Sequence, residues 1–222
     1  SDAPRSRPSM SLSRAVVAVA SGAVELSLRV VAASAVGVVE APTSPGLSAR
    51  SVLSVRPSPP SFREAVETAK RTQLDCLGSS KLRLALTGAD RSETAVLRAA
   101  AYSEHAARET FRAWADDESD ERARVAFEET ARQEDEHLER VLDALGEPLD
   151  VPNEPGPMHA YLRGRDDTIE RLAAGMVGRG LVSLRTHTQV IGFFLDEADH
   201  QRTDLFRTLK TETEGTLTTG LA

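Results

Sequence analysis

Between residues 92 and 145 the apolar side chains recur in steps of three and four, and one acid interrupts each run at its centre. The first stripe reads Leu97, Ala100, Glu104, Ala107, Phe111, Ala115, and the second reads Ala123, Phe127, Ala131, Glu134, Leu138, Val141, Leu145. That spacing puts each set on one face of an α-helix. It predicts two long helices, 92–115 and 121–145, joined by an acidic turn at 116–120, with Glu104 and Glu134 facing inward. Glutamate is almost never fully buried unless paired. Left alone inside, a carboxylate costs several kcal/mol or takes up a proton. The interior of this chain must therefore supply its acids with partners, whether cations or hydrogen bonds across helices.

A four-residue phrase sharpens the requirement. Glu134-Asp135-Glu136-His137 and Glu197-Ala198-Asp199-His200 both read Glu-x-x-His, and they hold two of the five histidines. Residues three apart share a helix face, so each phrase offers a carboxylate and an imidazole to one point. Two such phrases on facing helices form the ligand pattern of a two-metal carboxylate site in a helical bundle. Carboxylate oxygen with imidazole nitrogen suits iron or manganese. The alternative is internal pairing with arginine, available at Arg108, Arg132, Arg140, Arg185 and Arg202, which leaves a polar core without metal.

The rest of the chain divides on composition. Residues 1–60 are rich in Ser, Pro, Val and Ala, and read as an irregular extension outside the fold or as upstream sequence from a mis-set start. The apolar runs 15–24 and 30–39 are too short to span a bilayer, although Arg5, Arg7 and Arg14 ahead of the first resemble a secretory signal. Residues 61–215 are expected to form one helical domain. Ser61 with Glu64 makes a capping box that starts a helix over 61–77, and a Leu-rich segment (Leu82, Leu84, Leu86) follows. A Pro-rich linker at 146–157 leads to two final helices, 159–177 and 181–209, split at Gly178-Arg179-Gly180. A second candidate break lies at 164–167, where Asp167 and Glu170 resemble a capping box. The tail from Thr211 is expected to fray.

Residues 92–209 resemble the ferritin-like superfamily and, within it, the rubrerythrin family. Glu104-x-x-Ala107-x-x-x-Phe111 is similar to the family's first ligand helix. Phe127 and Ala131 ahead of Glu134-x-x-His137 are similar to its second. The resemblance implies an all-α, antiparallel four-helix bundle preceded by one helix. It also implies a di-iron centre, two metals per chain with manganese as a substitute, held by Glu104, Glu134, His137, Glu197 and His200. The family's further acid, in the helix before the last, has Asp166, Asp167 and Glu170 as candidates. Asp166 is preferred because it shares a stripe with Leu162, Ile169 and Ala173. The implied activity is peroxide reduction or ferrous and dioxygen chemistry. A degenerate, metal-free bundle serving as an oligomeric or partner-binding module is the alternative. Homodimers or higher homo-oligomers are expected. The family's rubredoxin-like cysteine module is absent, so a redox cycle needs an external electron donor.

Charge and cysteine content narrow the classes further. The net charge is −7, which argues against a nucleic-acid binder. A cytoplasmic, acidic protein is the expectation. One cysteine, Cys76, excludes an internal disulfide or a four-cysteine metal site. His105 reads as a surface residue, and His187 as a core or interface histidine too far along the axis to join the site. Tyr102, Tyr161 and Trp114 read as packing residues.

Overall fold

The computed structural model describes residues 61–77 and 87–221, and among them all regular structure is helical. The extension 1–60 and the Leu82–Leu86 segment lie outside the described residues.

The predicted capping box at Ser61 forms. The Ser61 backbone N–H donates to Glu64 at 2.8 Å, and the Ser61 hydroxyl accepts from the Glu64 N–H at 3.3 Å. It starts α1 (Phe62–Ala69), which is separated at Lys70 from α2 (Arg71–Leu77). Leu74 and Leu77 of α2 are buried against the core.

The two long helices form where their stripes predict them, as α3 (Glu93–Asp117) and α4 (Glu121–Leu145). Ser92 caps α3 by accepting from the Ala95 N–H at 3.2 Å, and Asp120 caps α4 by accepting from the Ala123 N–H at 2.9 Å. These side chains satisfy backbone donors that the first turn leaves free. Gly146 ends α4 in the left-handed conformation, at φ 73°. With so short a turn between them, α3 and α4 fold back on each other along their length.

Beyond the linker the chain departs from expectation. Helix α5 (Pro157–Arg163) is short, and the chain breaks at 164–167, the alternative site. Asp167 accepts from the Glu170 N–H at 3.0 Å and starts α6 (Thr168–Arg171). A π-helical stretch (Leu172–Arg179) continues it, and α7 (Gly180–Asp196) follows with no interruption. The expected break at Gly178-Arg179-Gly180 does not occur, since Arg179 and Gly180 both hold right-handed helical angles. The helix runs through Gly180 with Leu217 packed beside it. A Cβ on Gly180 would sit 3.5 Å from the Leu217 side chain.

The rod ends at 197–199, inside the second Glu-x-x-His phrase. Ala198 takes φ 57°, and Asp199 caps α8 (His200–Thr219) by accepting from the Arg202 N–H at 2.9 Å. The tail expected to fray is helical to Thr219, because Thr213 and Leu217 are buried on its inner face.

Two apolar clusters result. One gathers Phe111, Trp114, Phe127, Met176, Leu181 and Leu217; the other gathers Leu97, Leu138, Val141, Phe194, Phe206 and Leu209. On each long helix the polar positions fall between them: Glu104 on α3, Glu134 and His137 on α4, His187 on α7 and Glu212 on α8. The interior is therefore two oily halves with a polar waist.

Candidate metal centre

The waist is dry. Glu104, Glu134, His137, Arg179 and His187 are all buried, with His137 at 0% exposure. Helix periodicity puts Glu134 and His137 one turn apart on the inner face of α4. The α3–α4 packing sets Glu104 opposite them. One oxygen from each acid and one nitrogen of His137 lie within 4.8 Å of one another.

Hydrogen bonds order the cluster. His137 Nε2 lies 2.8 Å from Glu212 Oε2. Arg140 also grips Glu212, with Nη2 donating to the same oxygen at 2.6 Å. Burial works to raise the Glu212 pKa, but Arg140 and then His137 hold it below the ordinary value. An ionised Glu212 accepts the proton on Nε2, which leaves Nδ1 as the atom turned toward the acids. Nδ1 stands 3.8 Å from Glu104 Oε2 and has no hydrogen-bond partner. Across the cluster, His187 Nε2 lies 3.4 Å from Glu104 Oε1. Arg179 Nη2 donates to Glu134 Oε2 at 2.7 Å and stands 3.8 Å from Glu104 Oε2.

The two acids part company electrostatically. Burial would raise Glu104, yet the facing His137 and His187 rings hold it well below the usual carboxylate range. Glu134 is pushed up to about 8, chiefly by burial and against the pull of Arg179, with the Glu104 charge adding to the rise. Burial lowers His137, and the surrounding Glu104, Glu134 and Glu212 more than reverse it. Of the pair, Glu104 carries the negative charge more readily and Glu134 the proton.

The donor set could hold a metal ion. Two hard carboxylate oxygens and an imidazole nitrogen converge, and the buried Nδ1 of His137 lacks the partner that a buried polar atom requires. Glu212 is the outer partner that orients a metal-ligating histidine in many sites.

The structure brings together Glu104, Glu134 and His137 and leaves the other predicted ligands elsewhere. Glu197 and His200 are exposed, because the phrase that contains them is the turn between α7 and α8 and not a helix interior. Asp166 is exposed in the loop before α6. The second half of the expected two-metal set is therefore not assembled. In its place stand residues that the spacing did not select: Arg179, His187 and Glu212. His187 is buried in the core as expected, but it contacts the site, because the rod carrying it runs from Thr168 to Asp196 and places it at the level of Glu104. Its signal was the run His187, Val190, Phe194. The signal for Glu212 was the stripe Phe206, Leu209, Thr213, Leu217, which continues helical spacing past Thr211.

Neighbouring aromatics play structural parts. The Tyr102 hydroxyl accepts from the Gly156 N–H at 2.7 Å and ties the linker to α3. Trp114 packs against both Phe111 and Phe127, whose own rings lie 6.1 Å apart. His105 is half-buried, 3.1 Å from Arg108 Nη2. No protein family, curated protein or solved structure matches this chain.

Proposed function

We propose that the chain is a ferritin-like four-helix bundle, with α3, α4, the α6–α7 rod and α8 as its helices. We propose further that its waist binds one iron or manganese ion through Glu104, Glu134 and His137. The observation that carries this reading is the convergence of those three donors, with Nδ1 of His137 buried and unpartnered. When bound, such an ion supplies one-electron redox chemistry toward peroxide or dioxygen, so the proposed activity is that of an oxidoreductase. The protein's own part is to hold the donors in a dry layer between two apolar clusters. Glu212 fixes the His137 ring, and Arg140 fixes Glu212.

Metal content tests the proposal. Protein loaded anaerobically with Fe(II) or Mn(II) and then desalted is expected to retain about one ion per chain. Glu134→Ala and His137→Ala are each expected to lose it. A wild-type protein that retains no metal, and oxidises no ferrous iron, sinks the proposal.

A second reading has an observation of its own. Arg179 pairs with Glu134 at 2.7 Å and stands 3.8 Å from Glu104, which answers the buried charge internally. On that reading the bundle is a metal-free scaffold. Replacing both acids together with Arg179 by apolar residues is then neutral or stabilising.

A further inference from the structure

The two buried acids face a cation that the chain itself supplies. Arg179 is 3% exposed, and its Nη2 lies between the carboxylates, 2.7 Å from Glu134 and 3.8 Å from Glu104. Its guanidinium rests over the Phe111 ring, 5.6 Å from the centroid, so the apolar cluster below closes off other positions. Arg179 is the last residue of the π-helical stretch. A π turn shifts the side chains beyond it around the axis relative to an α-helix, and here the shifted register points a cation at the acids.

We infer that the Arg179 guanidinium occupies the place and carries the charge of a second cation, which makes the centre a pair of one metal ion and one permanent organic cation. This rests on the one-metal reading above. A divalent ion held by Glu104, Glu134 and His137 would by itself match the charge of the two acids. Arg179 adds a further positive charge against Glu134, which leaves no net negative charge to draw in a second ion. The remaining donors on that side are too few for a second ion. His187 reaches Glu104 alone, and Glu212 is committed to His137 and Arg140. A carboxylate at position 179 would add an acid beside His187, Glu104 and Glu134 and so supply the donors a second ion needs.

The experiment loads wild type, Arg179→Lys, Arg179→Gln and Arg179→Glu with Mn(II), then measures bound metal per chain and electron paramagnetic resonance. Circular dichroism verifies that each is folded. Wild type and Arg179→Lys are expected to hold one Mn(II) with an uncoupled hyperfine signal. Arg179→Glu is expected to hold two, with the broadened signal of a coupled pair. Arg179→Gln removes the charge without adding a ligand and is expected to bind its one Mn(II) several-fold more tightly, which keeps the inference testable if Arg179→Glu does not fold. A wild type that binds two coupled ions overturns the inference and leaves the metal centre standing. So does a folded Arg179→Glu that still binds one, or an Arg179→Gln whose affinity is unchanged. Absence of metal from all four proteins overturns the centre as well.

Discussion

At the scale of single residues, glycine shows how one position carries opposite meanings. Gly175 lies in the π-helical stretch, where a Cβ would meet Trp114 Cζ3 at 2.3 Å and Cη2 at 2.7 Å. The indole has little room to yield, since it is buried and packs against both Phe111 and Phe127, each with its ring centroid 5.5 Å away. Gly192, in α7, has nothing within 4 Å of such a Cβ. Gly175→Ala is expected to destabilise by about 1–3 kcal/mol through overpacking. Gly192→Ala is expected to stabilise by roughly 0.5–1 kcal/mol through helix propensity. Urea unfolding of both variants measures the pair, and equal shifts would refute the packing assignment. The candidate ligands divide in the same manner. Glu104 and Glu134 were legible because each sits at the centre of an apolar stripe, and His137 because it lies one turn beyond Glu134 on the same side. Arg179 was not, because an arginine between two glycines reads as a break until a partner for its charge is visible.

At the scale of elements, the decisive feature is the turn at 197–199. Ala198 holds φ 57°, a conformation that a side chain disfavours. The turn persists because Asp199 caps α8 and the stacked Phe194 and Phe206 rings, 5.9 Å apart, clamp the two helices. Ala198→Gly is expected to raise stability by up to about 1 kcal/mol, the relief of strain being partly offset by the freer unfolded chain. The double variant Glu197→Ala/His200→Ala is expected to change stability by less than about 0.5 kcal/mol, since both side chains are exposed. It should leave metal content untouched. Thermal melts and metal analysis check both statements, and loss of metal from the double variant would return those residues to the site. The first pair of helices was legible from local signals alone: periodicity, Ser92 and Asp120 caps, and Gly146 at the end. The second pair was not, since the phrase at 197–200 has the spacing of a ligand pair and also the Asp of a helix cap.

At the scale of the whole molecule, packing of α5 against α3 encloses His159, which is 3% exposed. Burial, and then the nearby Arg179 and Arg163 cations, hold its pKa down to about 3 from the ordinary 6.5. The folded value lies below the unfolded one, so protonation favours unfolding. The neutral ring's contribution is complete above pH 6.5 and is lost as pH falls from there toward 3, at up to about 1.4 kcal/mol per pH unit. His159→Leu is expected to flatten the acid side of the stability curve relative to wild type. Parallel curves in denaturant titrations across that window would refute the assignment. What the amino-acid order by itself determined was the helical class, the α3–α4 hairpin and the buried acid–acid–imidazole group, because these depend on periodicity and on a turn too short to allow another arrangement. Only the tertiary structure decided where the last two long helices begin and end, and hence which side chains complete the waist. Glycine permits either a break or a close approach, and Glu-x-x-His permits either a ligand pair or a cap. The choice falls to what packs against them: Leu217 beside Gly180, Phe194 and Phe206 at the turn.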